Sequence, residues 1–194
     1  MAGCKSQTGT VLQPGSRELS GSHAAGQEVF KPLVEESVAR LLTAEIQREG
    51  SIPRGSKRIC FVGVENHSAE ELADYREQLY EMIDTSISSS GQFTSVSRRY
   101  VEPAIHAGRY RMQDLFLPEN QRKLQATLEQ NGQPFDYLLF AKLTSGTTRD
   151  NRDSQRDYRL SLELINIHDG SSIKEGCELS KGYNVSLGAK MRNR

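Results

Sequence analysis

The sequence predicts an α/β (α+β) fold: a mixed sheet of four to five strands flanked by helices and ending in a three-strand antiparallel meander. Three observations carry the prediction. Apolar residues recur at helical spacing in Val34, Val38, Leu41, Leu42 and Ile46. They run almost unbroken from Tyr137 to Leu143, the signature of a central strand covered on both faces. They then alternate strictly at Tyr158, Leu160, Leu162 and Leu164, as in a strand with one face in water. Helices and strands interleave first and strands follow one another last, which gives a sandwich of two or three layers.

The elements follow in order. Residues 5–26 are rich in Ser, Gly, Thr and Gln and cannot bury enough surface to offset ordering entropy, so they read as a flexible linker. The first helix carries the stripe just named, with Pro32 in its first turn, Gly50 after its last and Pro53 just beyond. Ile59 to Val64 is a buried strand. Ser68 and Glu71 form a capping box for a helix with Leu72, Tyr75, Leu79, Met82, Ile83 and Ile87 on one side, ended by Gly91. A weaker strand holds Phe93 and Val96. RRYVEPAIHAG is a short helix interrupted near Pro103, and a loop around Pro118 leads to a helix through Leu124 and Leu128. In the meander, Asp169-Gly170 is a hairpin turn signal, and the charged stretch SIKEGCELSKGY is a return strand toward an edge. The expected organisation is a lipobox-like stump with its linker over 1–26, the folded domain over 27–184 and a C-terminal tail over 185–194.

Composition narrows the function. Twenty-five basic and 25 acidic residues cancel, so no basic excess speaks for a nucleic-acid partner. No run of about 18 apolar residues spans a bilayer. Phosphate-loop, metalloprotease and nucleophile-elbow motifs are absent, and Gly63 stands alone after its strand. His23, His67, His106 and His168 have no metal-ligand spacing with Cys4, Cys60 or Cys177. Cys60 and Cys177 read as small buried hydrophobes, with a disulfide between them conceivable in an oxidising compartment. Asn66 is a turn or cap residue. The expectation is a non-catalytic protein with no cofactor and no metal.

The stretch TTRDNRDSQRDYR is the most unusual of the folded part. Arg149-Asp150, Arg152-Asp153 and Arg156-Asp157 repeat one dipeptide, and Arg159 follows. It reads as a solvated hairpin loop whose charges cancel, or as a recognition loop, because arginine suits bidentate contact with carboxylates. Arg149, Arg152, Arg156 and Arg159 are the candidate partner-binding residues.

The apolar strand ending in Glu65-Asn66-His67-Ser68, the strand from Phe93 to Ser97, the strand opening Asp136-Tyr137-Leu138-Leu139 and the strand from Leu160 to Ile167 with its Asp169-Gly170 turn resemble, in that order, the LpoB family. Those are outer-membrane lipoproteins that activate class A penicillin-binding proteins. The similarity covers roughly residues 30 to 183, and a looser form of the pattern extends to curli-secretion (CsgG-like) and TolB amino-terminal domains. The resemblance implies a mixed α/β domain without catalytic residues, docking on a bifunctional peptidoglycan synthase; a monomer is expected. It also implies a lipid on Cys4, which follows Ala2-Gly3 as in a lipid-attachment signal. A preceding signal peptide is then expected, placing the protein on the periplasmic face of the outer membrane; a cytoplasmic location is the alternative. A linker of about 22 residues would reach only about 25 Å. An accessory role in secretion or assembly is the second functional reading, and a small flavodoxin-like enzyme the third.

Overall fold

The computed structural model describes residues 25–50, 56–70, 75–150 and 153–184. The elements in chain order are α1 (Gln27–Glu49), β1 (Lys57–His67), α2 (Tyr75–Ser89), β2 (Phe93–Ser95), α3 (Arg98–Gly108), a 3₁₀ helix (Met112–Phe116), α4 (Pro118–Gln130), β3 (Tyr137–Asp150), β4 (Asp153–Asn166) and β5 (Ser172–Asn184). The five strands form one sheet in the order β2-β1-β3-β4-β5. The pairs β1–β2 and β1–β3 are parallel, while β3–β4 and β4–β5 are antiparallel. This is the mixed sheet with a closing meander that the apolar patterning predicts, and β3, with its unbroken apolar run, is its middle strand.

Two apolar layers hold the helices to the sheet. On one face α1 and α2 pack over Ile59, Phe61, Tyr137, Leu139, Leu160 and Leu162. On the other, the segment from α3 to α4 packs over Cys60, Leu138, Phe140 and Ile165. The first layer admits two polar side chains. Ser37 donates to the Leu160 carbonyl at 3.3 Å, and buried Glu45 receives two bonds from Arg48, at 2.9 and 2.7 Å. Ser37 and Glu45 thus each have the partner that desolvation demands.

The structure departs from the sequence reading at both helix prolines. α1 begins at Gln27, so Pro32 is its sixth residue, and α3 runs through Pro103, also its sixth, without a break. A proline there removes the bond to the carbonyl four residues back and crowds that carbonyl with its ring. That carbonyl belongs to Glu28 or Arg99, both exposed, where water can replace the lost donor. α1 stops at Gly50, whose φ of 67° is the left-handed conformation expected of a C-cap glycine. Glu71, the expected capping-box partner of Ser68, and Leu72 of the expected stripe lie outside the described residues, as does Pro53. Asn66 does close a turn: its side chain accepts from the Ser68 N–H at 2.9 Å and donates to the Glu70 carbonyl at 2.7 Å.

Cys60 and Cys177 are both buried and free. They belong to opposite apolar layers, and β3 and β4 lie between their strands. Strand spacing alone then separates them by about 14 Å, twice the reach of a disulfide. The conceivable bridge between them does not form.

Candidate docking surface

The arginine-rich stretch is mostly paired strand. The β3–β4 ladder continues through Thr147↔Arg156, Thr148↔Gln155 and Arg149↔Ser154 to Asp150↔Asp153, where a loop was expected. A ladder needs only backbone groups, and threonine, serine and glutamine tolerate a solvated pleat. Asn151 and Arg152, at its tip, lie outside the described residues, and so does the side chain of Arg149.

Strand alternation sends Arg156 and Arg159 to opposite faces. Arg156 shares its face with buried Tyr158 and pairs through Nη1 with the Glu70 carboxylate. Its Nε donates to Thr147 Oγ1 at 3.3 Å, and the Tyr158 hydroxyl donates to the same Glu70 oxygen at 2.7 Å. The side chains of Arg156 and Glu70 are only 22% and 10% exposed. The turn carrying Glu70 is itself anchored, because the Ala69 N–H donates to Ser145 Oγ at 2.9 Å. These contacts clamp the base of the β3–β4 ribbon to the end of β1. Glu70 escapes a reading of the sequence, since 86 residues separate it from Arg156 and no motif joins them.

Arg159 faces the other way, into an open surface. There the helical layer stops short of β4 and β5, leaving Lys142, Arg159 and Lys174 exposed on adjacent strands. Arg159 Nη1 pairs with Glu178 Oε1 at 2.6 Å, with the two side chains 57% and 64% exposed. Lys174 Nζ lies 3.4 Å from Glu163 Oε2. Asp157 accepts from Ser180 Oγ at 2.5 Å and Gln155 Nε2 at 2.7 Å, and these bonds, the one from Ser180 first, hold its carboxyl below the usual range. Beside this face Phe116 stacks on Phe140 with ring centroids 4.5 Å apart. Phe116 and its neighbour Leu117 are the exposed large apolar side chains among the described residues. Opposed charges beside an exposed aromatic are the elements of a protein-recognition surface.

The other sequence candidates are scattered. Cys4 lies outside the described residues, as does His23. His67 sits 3.3 Å from Glu65 and His168 3.5 Å from Asp136. Among the described residues no cluster of three His, Cys, Asp or Glu side chains could hold a metal, and no helix is long and apolar enough to cross a membrane.

A family model described as peptidoglycan-synthase activator LpoB matches residues 30–176. The chain therefore belongs to the LpoB family of peptidoglycan-synthase activators. A comparison with curated protein sequences found no match. Among solved structures, the chain is similar to the LpoB C-terminal domain from Salmonella enterica, with 16% identity, 82% of this chain and 98% of that one covered, and a TM-score of 0.47. The LpoB C-terminal domain from Escherichia coli gives 16% identity, 76% and 97% coverage and a TM-score of 0.49. A lipoprotein from Neisseria meningitidis gives 16%, 70% and 91%, and 0.47.

Proposed function

We propose that this family member is an envelope lipoprotein that docks on a class A penicillin-binding protein and activates its peptidoglycan synthesis. Family membership over residues 30–176 carries the reading. Cys4 would hold the lipid and anchor the domain to the periplasmic face of the outer membrane. The open face of β3, β4 and β5 would meet the synthase, with Arg159 and the ribbon tip bearing Arg149 and Arg152 as contacts and Phe116 as an apolar anchor. Arg156 contributes from behind, by fixing the ribbon through Glu70. Activation needs docking to favour one of two synthase states, since equal affinity for both shifts nothing.

The test is a binding measurement on immobilised class A synthase together with a glycan-polymerisation assay, with and without the domain. The expected result is saturable binding and a faster rate, both weakened by Arg159→Glu and by Phe116→Ala. Neither binding nor a rate change with any class A synthase from the same cell would sink the proposal. Detergent-phase partitioning of the full-length protein, lost in Cys4→Ala, checks the anchor separately.

A further inference from the structure

β2 is three residues long and pairs only with Lys57–Ile59 of β1. Beyond it, the edge of β1 faces a cleft of about 490 Å³ between α2 and α3. The edge itself is closed to another strand. The β1–β3 register slips between Phe61 and Gly63, a bulge that breaks regular pairing. The Tyr80 hydroxyl already donates to the Phe61 carbonyl at 3.3 Å, with its ring stacked on Phe61 at 4.4 Å. Gly63 has a φ of 149°, and a Cβ there would stand 3.2 Å from Met112 Cε. The space is therefore kept open as a pocket, and its volume is that of a small-molecule site.

The lining has two parts. Val101, Ile105 and Met112 supply an apolar wall, while Arg76, Arg98 and Arg111 supply three guanidinium groups. Arg98 is occupied: it lies 4.7 Å from the Tyr80 ring centroid and pairs with Glu77 and, at 3.3 Å, with Glu102. Among the described residues neither Arg76 nor Arg111 has an ion-pair partner. Two exposed positive charges thus flank a partly apolar pocket beside the uncovered edge of β1, just past the end of β2. Arg98 faces two carboxylates, Glu77 and Glu102, so the cluster as a whole keeps a single positive charge, carried by Arg76 and Arg111. A phosphate monoester is an anion at neutral pH, and the guanidinium fork fits its oxygens.

We propose that the cleft between α2 and α3 binds an organic phosphate monoester, with its apolar body against Ile105 and Met112 and its phosphate on Arg76 and Arg111. The ester could be a soluble metabolite or a lipid headgroup, which share this chemistry. Phenyl phosphate is the first probe, titrated into isotope-labelled protein followed by amide resonances. The expected result is saturable movement of Phe61–Val64 and Ile105–Met112, with affinity reduced about tenfold or more in Arg76→Gln/Arg111→Gln. Ile105→Trp, which fills the pocket and keeps its charge, should also abolish binding, whereas Arg159→Gln should leave it unchanged.

Phosphatidylcholine vesicles containing phosphatidic acid form the second arm. Retention on them that depends on Arg76 and Arg111 assigns the headgroup; binding of phenyl phosphate alone assigns a soluble ester. The proposal is overturned if those amides do not move, if phenol moves them as strongly as phenyl phosphate, or if the double variant binds as the natural protein does. No synthase enters these measurements, so their failure is separate from failure of the docking reading.

Discussion

On the β2–β1–β3 side the sheet carries helices on both faces; on the β4–β5 side it carries them on one. The difference is written in the strands. β3 keeps apolar residues at successive positions because Leu138 and Leu139 each enter a separate core layer. β4 alternates because Leu160 and Leu162 are buried while Arg159 is in water. Where both faces are covered there is little freedom to change, since Leu138 and Leu139 are each fixed in a packed layer. The half-covered region can vary one face without touching the core, and that is where a recognition surface costs least in stability.

Four experiments would break or sharpen this contrast, in falling order of effect. Leu138→Ala, in the doubly covered half, should cost about 2–5 kcal/mol in urea denaturation, whereas Lys142→Ala, four residues along the same strand on its open face, should change stability by less than about 0.5 kcal/mol. Equal losses at the two positions would erase the contrast. Next, Glu70→Gln should cost about 1–3 kcal/mol, because it weakens a partly buried ion pair and a hydrogen bond from Tyr158. In a double-mutant cycle with Arg156→Gln the losses should be non-additive; simple additivity would mean that the clamp is not a unit.

Arg159→Glu should move stability by no more than about 1 kcal/mol, since its ion pair is exposed, while weakening synthase binding. A large stability loss would assign Arg159 to the scaffold. The smallest effect concerns Asp157. Its folded-state pKa is depressed by Ser180 and Gln155, so its contribution is present above the ordinary aspartate pKa and fades as pH falls through the depressed value. In Ser180→Ala the Asp157 carboxyl, followed by NMR titration, should move back toward the ordinary value; an unmoved pKa would leave Gln155 as the sole cause.

Much of the fold was legible because burial leaves a period. The α1 stripe, the β3 run and the β4 alternation each report which faces are covered. The prolines misled because a first-turn proline loses no helical bond, whereas one at the sixth position deprives a carbonyl of its donor, and whether water can take that donor's place depends on tertiary exposure. The ribbon misled for a related reason: a ladder in water on both sides has no apolar period to read. Of the site, the sequence showed four nearby arginines but not their faces. It held no signal for Glu70, which meets Arg156 only after β1 has paired with β3, and none for a cleft that depends on β2 stopping after three residues.

The strand edges also bear on how the domain behaves at high concentration. An unpaired strand is a template for another chain, and sheets that leave one long and flat invite fibres. Here β2 is too short to seed a ladder, and the free edge of β1 is bent by its bulge and capped by Tyr80. β5 carries Lys174, Glu175, Glu178 and Lys181 along its length, and Lys181 ties it to Glu28 of α1 at 2.8 Å. At high concentration the domain would thus carry a sheet that resists growing from one copy into the next.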